Sequence, residues 1–223
     1  MAELQVPPGQ ERALVRFLSL DQTLCERLLD ALSSAKPRLL VANLATDLSS
    51  KVGMDEEELH DVLEMLTSLY VSLDRFEGSV EEFAGMVVET LRKMNRDDLT
   101  PTAGDWVAFQ GYLARILSLH DSLGVTSKAN EIMFENERVY CDARIVSDLR
   151  PVFRFHLEGG PAGAVVVHSM RLTYHEGRRL REFYIAMDKD DVEQLKKLLN
   201  RAEKKHEMIK ALAARSGVNV IES

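Results

Sequence analysis

The chain has 223 residues, room for one large domain or two small ones, and its 45% apolar and 29% charged composition excludes a disordered polypeptide. No apolar run approaches the roughly 18–20 residues of a membrane span. The net charge of −8 is uneven: residues 1–138 hold 13 basic and 24 acidic side chains, net −11, and residues 139–223 hold 15 and 12, net +3. Two halves of opposite sign can attract each other, within or between chains, or be two solvated surfaces.

The N-terminus, MAELQVPPGQER, has no basic segment followed by an apolar core, so a secretory signal is not expected. Apolar residues then recur at helical spacing over 10–20 (Leu14, Phe17, Leu18) and 21–34 (Leu24, Leu28, Leu29, Leu32), with Asp21 as N-cap between them. Pro37 suits the first turn of a third helix reaching Lys51, and Gly53 ends it. Asp55 with Glu58 reads as a capping box for a fourth helix, whose stripe is Leu59, Val62, Leu63, Leu66, Leu69 and Tyr70. Ser79 and Glu82 repeat the box for a fifth, with Phe83, Met86, Val87, Leu91 and Met94 inward. Thr100-Pro101 opens a sixth carrying Trp106, Phe109, Leu113, Ile116 and Leu117, and residues 125–136 are weakly helical. Short connections imply antiparallel neighbours, hence an α-helical bundle over 1–137.

The period changes near Val139. From there to Val146 apolar residues alternate with Asp142 and Arg144, the pattern of a strand, and Pro151 marks it as bent or at an edge. A loop at Glu158–Gly163 precedes the strongest strand of the chain, AVVVHSMRLTY at 164–174. His175–Arg179 is a hairpin turn with Gly177 at positive φ, and LREFYIAM at 180–187 returns antiparallel. Asp188 or Asp190 caps a last helix with Val192, Leu195, Leu198, Leu199, Ala202, Ile209 and Leu212 on one stripe, ended by Ser216-Gly217. Residues 138–223 thus read as a small β-β-β-α module, and the chain as α+β.

That module cannot bury itself. One helix covers one face of a three-stranded sheet. The central strand is apolar on both, with Val166, Met170, Leu172 and Tyr174 opposite Val165 and Val167. The third strand repeats this, with Phe183, Ile185 and Met187 opposite Leu180, Tyr184 and Ala186. At roughly 25 cal/mol per Å² of apolar surface, an uncovered face is a serious loss for so small a unit. Either the helical domain or a second chain covers it, and open edges add a further invitation to pair.

The module resembles the COMM domain, the C-terminal part of the COMM-domain-containing proteins. The likeness rests on AVVVHSMRLTY, on REFYIAMDKDDVEQLKKLLNRAEKKHEMIKAL with its Glu182-Phe183 returning strand and Leu-rich helix, and on the helical stretch LSSKVGMDEEELHDVLEMLTSLY before it. The family's first COMM strand usually carries a Trp. The corresponding VYCDARIVSDLRPVF has none, which marks a divergent or prokaryotic-type relative. The resemblance implies a dimer of interlocked COMM modules that assembles larger scaffolds. The expected interface residues are Val165, Val167, Met170, Leu172, Tyr174, Phe183, Ile185, Leu195 and Leu199. The expected partner is the chain itself or a related COMM-like chain.

Other chemistry finds little support. The six histidines (His60, His120, His156, His168, His175, His206) form no His-x-x-x-His pattern, and there is no Cys-x-x-Cys, so no metal site is expected. His168, mid-strand among apolar residues, reads as a satisfied core imidazole. Gly159–Gly163 lacks the Gly-Lys-Ser/Thr of a phosphate loop. Asp97-Asp98 and Asp190-Asp191 fall at helix boundaries, where they serve caps and dipoles. Residues 44–70 have helix-turn-helix spacing, the basis of an alternative reading as a DNA-binding transcription regulator. The helix that would serve for recognition, however, opens Asp55–Glu58 and adds Asp61 and Glu64, a face that repels phosphate. Lys196, Lys197, Lys204, Lys205 and Lys210 alternate with Glu193, Glu203 and Glu207, a solvated face. Cys25 and Cys141 are expected to be buried free thiols in a reducing, cytoplasmic compartment. The sequence therefore points to a non-enzymatic assembly protein without catalytic residues, cofactor or nucleic-acid partner.

Overall fold

The computed structural model describes residues 8–93, 103–156, 159–177 and 179–222. Among these are eight α-helices, one π-helical turn and a three-stranded antiparallel sheet, a mixed α+β chain. It falls into two compact units dividing between Met133 and Phe134, with Ile221 and Glu222 grouped with the first.

The helical unit holds α1 (Pro8–Leu18), α2 (Gln22–Ser33), α3 (Val41–Val52), α4 (Glu56–Leu73), α5 (Val80–Lys93), α6 (Ala103–Leu117), a π-helical turn (His120–Gly124) and α7 (Val125–Phe134). Its core centres on α4, where Leu59, Val62, Leu63, Met65 and Leu66 are fully buried. α4 packs on α1 and α3, and α5 on α6. Phe17 and Trp106 both meet Phe109 edge to face, at 5.5 and 6.4 Å between ring centroids. The buried Tyr70 hydroxyl donates to the Ile116 carbonyl at 2.8 Å, satisfying the one polar atom that the ring carries inward.

The caps explain most helix boundaries. The Asp21 carboxylate accepts from the Leu24 N–H, and Ser79 and Glu82 make both bonds of a capping box. At α4 only half of the expected box forms. Asp55 accepts from Glu57 and Glu58 N–H, while the Glu58 carboxylate pairs with Arg16 of α1. Met94, Asp97-Asp98 and Thr100-Pro101 lie outside the described residues.

Helix α3 starts at Val41 rather than in the turn of Pro37. The N–H of Arg38 donates to Thr126 Oγ1 at 3.1 Å and that of Leu39 to the Glu222 carbonyl at 2.9 Å. With those groups bonded elsewhere, the helix begins only after Leu40, whose backbone is extended at φ −109° and ψ 131°.

The second unit contains β1 (Arg138–Phe153), β2 (Pro161–Glu176), β3 (Arg179–Met187) and α8 (Lys189–Arg215), in sheet order β1-β2-β3. β1 runs through Pro151, which an edge strand tolerates. Asp188 caps α8 with a capping box to Asp191, and Gly217, at φ 71°, follows its end. α8 buries none of its residues. The expected cover of one sheet face by this helix is therefore not met, because the Leu-rich stripe does not close on the strands.

Two glycine replacements separate backbone need from backbone cost. Gly53 ends α3 at φ 77°, and a Cβ there would meet Arg27 Nη1 at 3.3 Å. Gly111 lies inside α6 with no atom within 4 Å of such a Cβ. Gly53→Ala should destabilise the chain by about 1 kcal/mol, and Gly111→Ala should stabilise it by about 0.5–1 kcal/mol. Paired urea titrations report the two signs. Equal signs would contradict the left-handed cap.

Candidate assembly surface

The register fixes which residues of the sheet share a face. Met170 sits between Ile145 and Ile185, Leu172 between Ala143 and Phe183, and Val166 beside Leu149. Tyr140 and Tyr174 continue this apolar face, and the Tyr174 and Phe183 rings meet edge to face at 5.8 Å. The other face is mixed. Arg171 lies between Arg144 and Tyr184, with Asp142 and Glu182 diagonal to it, while Val165 and Val167 lie opposite Arg150 and Asp148. Arg171 Nη2 reaches Asp142 at 3.4 Å, but its Nε is buried without a hydrogen bond, 4.0 Å from Glu182. A buried N–H left unpaired costs free energy until an acceptor arrives.

Of the nine expected interface residues, Met170, Leu172, Tyr174, Phe183 and Ile185 share the apolar face, and Val165 and Val167 lie on the other. Leu195 and Leu199 belong to α8. Val165, Phe183, Ile185 and Leu199 are exposed and the rest half-buried. The wider pattern is sharper. Of the 24 exposed large apolar side chains among the described residues, only Leu40, Val107, Ile132 and Phe134, the last residue of α7, lie in or between the helices α1–α7. Among its described residues the second unit buries just Val139, Thr173 and Met187. One unit has a finished core, and the other carries its apolar side chains outward.

His168 is half-buried on the apolar face, and its Nδ1 lies 2.7 Å from the Ser147 hydroxyl. It is satisfied, as expected, but not in a core. Cys141 contradicts the expectation of two buried thiols. It is exposed because it is the extra residue of a β-bulge between Tyr140 and Asp142, on an uncovered edge strand. Cys25 is buried in α2, and burial, with Asp21 and Glu26 nearby, pushes its thiol up to about 11.

His60, Asp61 and Glu64 of α4 bring three ligand atoms within 4.8 Å of one another. The i, i+1, i+4 spacing could have revealed this trio, but Asp61 and Glu64 are exposed and His60 is only half-buried. Around them Asp55, Glu56 and Glu57 are exposed too. Helix α4, which follows α3 through Gly53, thus presents an acidic rather than a basic outer face. Gly159 and Gly160 both have positive φ, and a strand rather than a helix follows them, so no helix N-terminus meets that loop. No described helix is long and apolar enough to cross a membrane. Comparison with known proteins finds no family model that matches the chain and no match among curated proteins.

The two cysteines should differ in reactivity. A Cys141→Ser chain should stay inert to a thiol reagent at pH 8, because the remaining Cys25 is buried and almost wholly protonated there. It should react only as denaturant unfolds the helical unit. Stoichiometric labelling of that variant under native conditions would contradict the packing of α2.

Proposed function

We propose that the chain is a non-enzymatic assembly protein whose C-terminal β-β-β-α module, COMM-like in its layout, pairs with a second copy. The helical unit, read as a bundle, is the part displayed by that pair. The observation that carries the reading is the contrast between a closed helical core and a module with almost nothing buried.

Physical magnitudes support it. A sheet with one apolar and one mixed face and a 27-residue amphipathic helix with Leu198, Leu199, Met208, Ile209 and Leu212 exposed have no cover within their own unit. Obligate dimers bury about 2,000–5,000 Å² in interfaces that resemble a domain core cut in half. A second copy brings the same unmet sheet and stripe, so each chain can cover what the other lacks. An external target of α8 through charge is less well supported, since its lysines alternate with acidic residues. A free, exposed Cys141 suits a reducing, cytoplasmic compartment.

Two substitutions test this. Leu172→Asp places a carboxylate in the middle of the apolar face, between Ala143 and Phe183. Buried there by a partner, it should cost several kcal/mol and abolish the dimer. Lys197→Asp changes an exposed side chain and should cost at most about 1 kcal/mol. Size-exclusion chromatography and thermal melting of both variants decide. If Leu172→Asp keeps wild-type mass and melting temperature, the apolar face is not an interface. If Lys197→Asp alone dissociates the protein, the contact lies on the polar side of α8 instead.

A further inference from the structure

We propose that His168 makes closure of the apolar sheet face dependent on pH: the face is covered while the imidazole is neutral and opens when it takes up a proton. This rests on the reading of that face as the surface that pairs with a second copy, and it names how the pairing is regulated. Histidine is the side chain whose ordinary charge change falls between about pH 5 and 8. A neutral imidazole is tolerated in a dry layer. An imidazolium there loses its hydration and is costly unless an anion meets it.

Position singles His168 out among the six histidines. It lies half-buried on the central strand, with Ser147 of β1 on one side and Met187 of β3 on the other. Its next neighbours on that face are Ile145 and Leu149 of β1, Val166 and Met170 of β2, and Ile185 of β3. None of these is charged. At the start of α8, Asp188 accepts from the N–H groups of Asp190 and Asp191, and the Asp191 carboxylate accepts from the N–H of Asp188. Asp190 is exposed, and Lys189 pairs with Glu193 at 3.8 Å. The other titratable groups of the face stand at its far end. There Glu176 pairs with Arg138 and Arg181 beside Tyr140 and Tyr174.

Ser147 opposes neither state of the ring. Its hydroxyl lies 2.7 Å from His168 Nδ1. It donates to Nδ1 of a neutral ring protonated on Nε2, and it accepts from the Nδ1–H of the cation. Among the described residues Nε2 has no hydrogen-bond partner, so the module supplies no anion to hold the proton. On an open face water solvates the cation, and on a covered face nothing does. A two-fold pair brings two such rings, so the cost counts twice. By linkage, the covered state binds fewer protons than the open one. It is favoured as pH rises and lost as pH falls through the histidine range.

Sedimentation equilibrium of the full chain at pH 7.5 and 5.5 tests this. The wild-type dimer dissociation constant should rise about tenfold or more on acidification. His168→Gln and His168→Phe are both permanently neutral. Each should stay dimeric and lose that dependence, and either one decides if the other fails to fold. His206 lies on the stripe of α8, at helical spacing from Ala202 and Ile209, so His206→Gln is the control and should keep the dependence. A wild-type dimer with the same dissociation constant at both pH values overturns the switch and leaves the dimeric reading intact. So does a pH dependence that the His168 variants retain. A wild-type chain that is monomeric at both pH values removes both.

Discussion

A small sheet with apolar side chains on both faces cannot stay in water by itself. Every other feature of the second unit follows from that constraint. Its central strand carries Met170 and Leu172 to one side and Val165 and Val167 to the other. Only one helix follows in sequence, and that helix does not close on the strands. At about 25 cal/mol per Å² the uncovered surface is a large term against the few kcal/mol of net stability that a domain of this size has. In the proposed reading the constraint is met by association, which would tie association to the stability of the fold.

The helical unit stands in contrast. Helices α2, α4 and α5 begin on capping side chains and α3 ends on Gly53, the unit's stripes converge on α4, and its polar atoms find local partners such as the Ile116 carbonyl for Tyr70. The Arg115–Glu26 ion pair, at 2.9 Å and joined by the Tyr112 hydroxyl at 3.1 Å, ties α6 to α2 at the surface. That pairing holds the Glu26 carboxyl below its ordinary range, mainly through the hydrogen bond from Arg115. A carboxylate lowered in this way adds stability that is present above its unfolded pKa and is lost as pH falls through the folded value. None of these interactions asks for a second chain.

Local chemistry made much of this legible from residue order. Asp21, Gly53, the Ser79–Glu82 box and Asp188 mark their boundaries because capping depends on residues three or four apart, and the period-two pattern placed all three strands. What depends on distant contacts was hidden. Pro37 suits a helix start, yet Thr126 and Glu222 hold the next two N–H groups. Glu58 suits a capping box, yet Arg16 claims its carboxylate. Cys141 suits a strand interior, yet a bulge on an edge strand leaves it exposed. Helix α8 was expected to lie on the sheet because its stripe has the right period, but periodicity says only that a helix has an apolar face, not what covers it. The length mismatch between β2 and β3 depends on where the Asp188 cap falls, and becomes visible only with the register.

The account stands or falls on the mass of the intact chain in solution. Sedimentation equilibrium from low to high micromolar concentration should give a particle of twice the 25.2 kDa chain mass, shifting toward monomer only on dilution. A well-folded particle of 25.2 kDa at every concentration would contradict it, because the exposed faces of the module would then be stable in water alone.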